Sequence, residues 1–190
     1  VASVGLSAEE KAALQVEIKK LQDLGNPPQV ISSWALFGDS VTYGWQTVAW
    51  QAPAGAVFSG SPGLTTGTMI PLLAERVLDK HVGGMLIAGG INDINGVDGP
   101  GIFPPATEIS GNLIHMAETA MAAGIKVVFA SILPIGVFAF HPPDRQQRII
   151  DVNSTLNAYA LIHAGTSFCD YYSAMIGPDG IMPVAVSPDG

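Results

Sequence analysis

Apolar and polar positions along this chain alternate between two rhythms. Short apolar runs at 32–37, 56–58, 82–88, 125–130 and 166–169 read as strands, and between them 67–80, 107–123 and 144–164 carry apolar residues at helical spacing. Ahead of these, Ser7-Ala8-Glu9-Glu10 matches a capping box. Leu14, Ile18 and Leu21 continue its helical period until Gly25-Asn26-Pro27-Pro28 stops it, so an opening helix is expected outside the main sheet. Strands alternating with helices predict βαβ units, and therefore a parallel sheet.

Open parallel sheets bind ligands beyond the carboxyl ends of their strands. The loop after each strand is therefore a candidate part of the site. Gly38-Asp39-Ser40 comes after the first strand, Ser59-Gly60-Ser61-Pro62-Gly63-Leu64-Thr65-Thr66 after the second, Gly89-Gly90-Ile91-Asn92-Asp93 after the third, and Leu133-Pro134 with a loop to Pro143 after the fourth. A serine delivered to a strand end is a candidate nucleophile, provided a base removes its proton and donors receive the oxyanion that forms. Three donors are at hand on this rim: the backbone N–H of Ser40, the backbone N–H of Gly63 and the side-chain amide of Asn92. Each has a plainer reading. Gly63 also fits a turn, and Asn92-Asp93 also fits a helix cap or an Asx-turn. The Gly/Pro-rich stretch 95–105 reads as a long loop near the same rim.

Composition narrows the partners. Of 190 residues 48% are hydrophobic and only 13% charged, which fits one well-buried domain spanning 1–190, with 1–30 as helix and linker. Sixteen acidic against eight basic residues give a net charge of −8 with no Lys/Arg cluster, which argues against nucleic acid as a partner. The single cysteine, Cys169, excludes an internal disulfide and any multi-cysteine metal site. No apolar run reaches the roughly 18 residues of a membrane span. A start at Val1 fits a removed signal peptide or a cleaved tag, and secreted or periplasmic placement is the expectation.

The three loop motifs, in this order, resemble the GDSL lipases and esterases, also called SGNH hydrolases, a family named for four blocks that supply a Ser, a Gly, an Asn and a His. Gly38-Asp39-Ser40 looks like the first block, Gly63 with Thr65-Thr66 like the second, and Gly90-Ile91-Asn92-Asp93 like the third. Ile132-Leu133-Pro134, the run from Asn153 to Ala160 and the run from Phe168 to Met175 are similar to stretches of the bacterial lysophospholipase-like and arylesterase-like members. Phe58 and Pro62 depart from the pattern, which often has Asn and Ser there. The resemblance implies a flavodoxin-like three-layer α/β/α sandwich with a parallel sheet of about five strands, acyl-ester hydrolysis through an acyl-enzyme on Ser40, an oxyanion hole of Ser40, Gly63 and Asn92, and no metal or organic cofactor.

The fourth block of the family reads Asp-x-x-His, usually inside Asp-Gly-x-His-Pro. Here Ser187-Pro188-Asp189-Gly190 ends the sequence. The resemblance makes Asp189 the acid that orients the imidazole, with the histidine falling two positions past Gly190. Pro178-Asp179-Gly180 repeats the tripeptide as an ordinary turn, the plainer reading of Asp189. The family also carries a last helix after the histidine. The expectation is therefore a natural chain that continues past Gly190. Of the four histidines present, His81 and His115 fall in or beside helices and His163 at a helix C-terminus. His141 alone sits in a rim loop, Phe138 to Pro143, as a candidate to line the acyl or leaving-group pocket.

Tyr43, Trp45 and Trp50 come soon after the nucleophile and are candidates to wall a substrate pocket, although buried aromatics are more often core. Short-chain acyl esters, lysophospholipids and acetylated sugars all remain open as the small-molecule substrate, and no integral membrane association is expected. The rival from another class is a non-catalytic carbohydrate- or lipid-binding module that keeps the fold. A nucleotide-binding relative is disfavoured, because neither the Gly-x-Gly-x-x-Gly turn nor the phosphate loop Gly-x-x-x-x-Gly-Lys-Ser/Thr is present.

Overall fold

A computed structural model describes residues 33–47, 52–96, 102–136 and 144–183. The opening helix, Trp50, His141 and Asp189 lie outside these residues. Five strands, β1 (Trp34–Gly38), β2 (Val57–Gly60), β3 (Gly84–Ala88), β4 (Lys126–Ala130) and β5 (Thr166–Cys169), form one sheet in the order β2-β1-β3-β4-β5. Every pairing is parallel, with Gly38 opposite both Gly60 and Ala88 at the carboxyl edge. The chain leaves β1 toward β2 on one side and later returns to lay β3 on the other. The strand order therefore reverses beside β1, and a crevice opens where the loops after β1 and β3 part.

Alternation along the strands sorts the two faces, because successive side chains of a strand point in opposite directions. Ala35 and Phe37 of β1, Met85 and Ile87 of β3, and Val127 and Phe129 of β4 share one buried cluster, which Leu36, Leu86 and Ala130 do not join. The first cluster is covered by α5 (Ala106–Ala122) through Ile109, Leu113, Met116, Ala117 and Ala120, and by α6 (Arg145–Ile162) through Ile149, Val152 and Leu156. On the other face, Trp45 of α1 (Ser40–Trp45) and Tyr171 of α7 (Tyr171–Met175) pack against Leu36, Leu86 and Ala130. The result is the three-layer α/β/α architecture.

The segment expected as one helix over 67–80 is instead broken. It runs as α2 (Thr66–Met69), a 3₁₀ turn at Ile70–Leu72, α3 (Leu73–Arg76) and a second 3₁₀ turn at Leu78–Lys80. Pro71 lies within the first 3₁₀ turn, where its missing N–H interrupts the ladder. The apolar face nevertheless survives the breaks, and Met69, Leu73 and Val77 are all buried. The second turn ends on His81, which holds a left-handed φ of 52° just ahead of β3. A short helix that the apolar pattern does not announce, α4 (Ile91–Asn95), comes directly after β3.

Candidate active site

Ser40 is the first residue of α1 and is solvent-exposed at the carboxyl end of β1. Asp39 caps that helix: its carboxylate accepts from Val41 N–H at 2.9 Å, while Tyr43 N–H bonds the Asp39 carbonyl at 3.0 Å. Such a cap satisfies a backbone donor that the first helical turn leaves without an intrahelical partner. Asp39 itself is only 2% exposed. Burial pushes its carboxyl up to about 6, the Val41 N–H pulls the other way, and the nearby Asp93 adds to the rise.

Glycines let the loops close on this point. A Cβ at Gly38 would stand 2.2 Å from the Ala88 carbonyl oxygen of β3 and 2.4 Å from Thr42 Oγ1, and one at Gly60 would stand 2.4 Å from Tyr43 N, so the start of α1 rests directly on the ends of β1 and β2. The Ser61 N–H donates to the Gly38 carbonyl at 3.1 Å. Two residues on, Gly63 adopts φ 77°, a left-handed conformation that suits glycine. Among the described residues, no heavy atom beyond its chain neighbours lies within 4 Å of the position its Cβ would take. The loop then enters α2 through a capping box in which Thr65 and Thr68 satisfy each other's backbone N–H groups.

The third motif meets the second. Asn92 Nδ2 donates to the Leu64 carbonyl at 2.8 Å, and the Asp93 carboxylate accepts both the Thr66 N–H, at 2.9 Å, and the Thr66 hydroxyl, at 2.6 Å. Neither Asn92 nor Asp93 is a helix cap. Both lie inside α4, whose N-cap is Gly90 at φ 109°. A primary amide carries two N–H bonds on a planar nitrogen. With one hydrogen directed at Leu64, the direction of the other is fixed as well.

Two clefts adjoin the residues on either side of Ser40. One of about 190 Å³ is lined by Asp39, Val41, Gly89, Ile91, Leu133 and Met182, among others. The other, of about 260 Å³, is lined by Val41, Trp45, Leu133, Tyr171 and Met175. They share Val41, Ala88, Ser131 and Leu133, so the residue after Ser40 stands between them. Trp45 thus faces a cleft, whereas Tyr43 is 52% exposed and lines neither. The loop after β4, which walls both clefts, is pinned by Asn153 of α6, whose amide accepts from Ile132 N–H at 2.8 Å and donates to the Ile132 carbonyl at 2.9 Å. Sequence reading passes over Asn153 and Asp93 as clamps. Their signal is a polar residue within a segment that buries its neighbours.

The three histidines among the described residues stand elsewhere. His81 precedes β3 and His163 precedes β5, both at the amino edge of the sheet, and His115 is exposed on α5. His163 stacks on Tyr159 with ring centroids 3.7 Å apart.

Comparison with solved structures finds a proposed acylhydrolase from Bacteroides fragilis at 27% identity and TM-score 0.76, covering 93% of this chain and 86% of that one. A GDSL-like lipase from Bacteroides thetaiotaomicron matches at 25% identity and TM-score 0.73, over 88% and 82% of the two chains. An esterase from Pseudoalteromonas, 18% identical with TM-score 0.54 over 80% and 87%, shares the fold. No curated protein matches the chain. The model of the GDSL-like lipase/acylhydrolase family matches residues 36–190, which takes in the serine of the first strand end, the glycine of the second loop and the asparagine of the third, and the chain belongs to that family.

Proposed function

We propose that this protein hydrolyses carboxylic esters through an acyl-enzyme formed on Ser40. Membership of the family supports hydrolase activity in general and small-molecule esters as substrates. The observation that carries the finer reading is the Asn92 amide. One of its hydrogens is committed to the Leu64 carbonyl, which fixes the plane of an amide that comes, like the exposed Ser40 at the start of α1, directly after a strand of the parallel sheet.

In this mechanism Ser40 Oγ attacks the ester carbonyl and gives its proton to an imidazole, the base that the family motif places after Asp189, with Asp189 orienting it. The tetrahedral oxyanion is received by the Ser40 N–H, the Gly63 N–H and Asn92 Nδ2–H. A single donor of this kind is typically worth about 10²–10³ in kcat. Collapse expels the alcohol, which takes the proton back from the imidazolium. Water then attacks the acyl-enzyme, the imidazole accepts its proton, and Ser40 leaves as the free hydroxyl. No cofactor enters these steps. The two clefts are apolar where Trp45, Ile91, Met175 and Met182 line them, which suits a short apolar acyl group in one and an alcohol in the other. His141 is assigned to substrate contact and not to proton transfer. With a net charge of −8, and with no helix among the described residues long and apolar enough to cross a membrane, a dispersed ester is favoured over anionic lipid surfaces.

Protein expressed from the natural coding sequence should hydrolyse p-nitrophenyl butyrate and take up one fluorophosphonate, seen as a single adduct in the intact mass. Ser40→Ala should lose both. Retention of the adduct or of turnover in that variant overturns the assignment, and an unlabelled, inactive wild type would favour the binding module instead.

A further inference from the structure

We infer that Asp93 is the positioning residue of the oxyanion hole, acting on the Gly63 N–H through Thr66; the inference rests on the esterase reading above. Among the described residues nothing beyond its chain neighbours packs within 4 Å of the Cβ position of Gly63, so none of their side chains fixes the loop there. Its location depends on tethers to either side. Upstream, the Ser61 N–H bonds the Gly38 carbonyl at 3.1 Å. Downstream, Leu64 and Thr66 are bonded by the consecutive residues Asn92 and Asp93.

The platform that carries those two residues is tightly packed. A Cβ at Gly90 would stand 2.8 Å from Ile132 Cδ1 and 2.9 Å from Ile109 Cγ2, so the entry to α4 is wedged between the β4 loop and α5. Asp93 therefore hangs from a rigid mount and ties the downstream side of the second loop to it. Its geometry is that of an anchor: both carboxylate oxygens accept the Thr66 N–H, at 2.9 and 3.2 Å, and Oδ1 also takes the Thr66 hydroxyl at 2.6 Å. The Thr66 oxygen in turn accepts from Asn112 Nδ2 at 3.1 Å, which ties α5 into the same point. Asp93 is 2% exposed and Thr66 fully buried. A desolvated carboxylate is costly unless its partners satisfy it, and charge-assisted bonds to an N–H and an O–H are the strong kind. The chemistry of ester cleavage makes no use of Asp93 itself. What it supplies is a fixed distance between the donor of the second loop and the donor of the third.

The test is steady-state kinetics on p-nitrophenyl butyrate, paired with inhibition by an alkyl trifluoromethyl ketone, whose serine adduct carries the tetrahedral oxyanion. Asp93→Asn keeps the shape but presents an NH₂ where Thr66 needs an acceptor. It should lower kcat about 10- to 100-fold, change KM by less than about 3-fold, and weaken the ketone by the same factor as kcat/KM. Thr66→Val, which loses only the hydroxyl arm, should fall between that variant and the wild type. Thr66→Ser, which keeps both arms, should restore kcat to within about 3-fold. A loss of thermal stability alone, with kcat and ketone affinity unchanged in Asp93→Asn and Thr66→Val, overturns the inference, as does a rise in KM that accounts for the whole loss. A wild type without Ser40-dependent turnover sinks the esterase reading first, and this inference with it.

Discussion

Asp39 is the residue at which stability and site geometry pull in different directions. Its carboxyl is buried beside Ser40 and raised from 3.8 to about 6, chiefly by desolvation. A carboxylic acid whose folded value lies above its unfolded one binds more protons in the native state between those two values. Stability from this group is therefore present at low pH and lost as pH rises from about 4 through about 6. Two units correspond to about 3 kcal/mol as an order of magnitude. Asp39→Asn keeps an oxygen to accept the Val41 N–H and removes the titration. Its Tm relative to wild type should climb across pH 4–6.5 and level off above, a differential that thermal melts in a pH series would show. Parallel melting curves for the two proteins across that range would mean that Asp39 ionises freely in the native state. Sequence alone places Asp39 in the loop after the first strand and shows neither its capping role nor its burial, which comes from Gly38 and Gly60 admitting the loops so closely.

At the scale of elements, two glycines of the same loop make opposite predictions. Gly60→Ala puts a methyl 2.4 Å from Tyr43 N and 2.8 Å from Thr42 C, both backbone atoms that cannot swing aside. It should cost about 3 kcal/mol by overpacking, displace α1 from β2 and abolish fluorophosphonate labelling with it. Gly63→Ala meets no atom of the described residues beyond its chain neighbours and bears only the strain of φ 77°, about 1 kcal/mol. That variant should melt near the wild type while turnover falls, which denaturant unfolding beside an ester assay would separate. Equal destabilisation of the two variants would contradict the contrast. The strands and the two long helices are legible in the apolar rhythm because burial on both faces imposes it. The short helices α1, α4 and α7 are not. Each is five or six residues long, too short for a period to register, and α1 and α7 are called up by caps, Asp39 and Asp170, that sequence reading takes for loop residues.

Over the whole molecule, the parallel sheet divides its two edges by role, and that polarity bears on the proton acceptor. Ser40, Gly63 and Asn92 all come after strands, and their positions are readable as a rim because every strand of a parallel sheet delivers its next loop to the same edge. The clamps across that rim are not readable, since Asn153 and Asp93 act on residues 21 and 27 positions away. His81 and His163 precede strands and so lie at the opposite edge, and His115 faces solvent from the middle of α5. A general base must come within hydrogen-bond reach of the proton it takes, or within one water of it. A strand of five residues at about 3.3 Å each already puts the two edges farther apart than that. The combined variant His81→Asn, His115→Gln, His163→Gln should therefore keep kcat/KM within about 2-fold and the same pH profile, with Asn chosen at 81 because it tolerates the left-handed φ of 52°. A collapse of activity traced to any one of the three would place the base at the wrong edge for Ser40 and would break the assignment of the nucleophile along with it. Retained activity with an acidic limb near the titration of an imidazole would instead put the proton acceptor on a histidine outside this set.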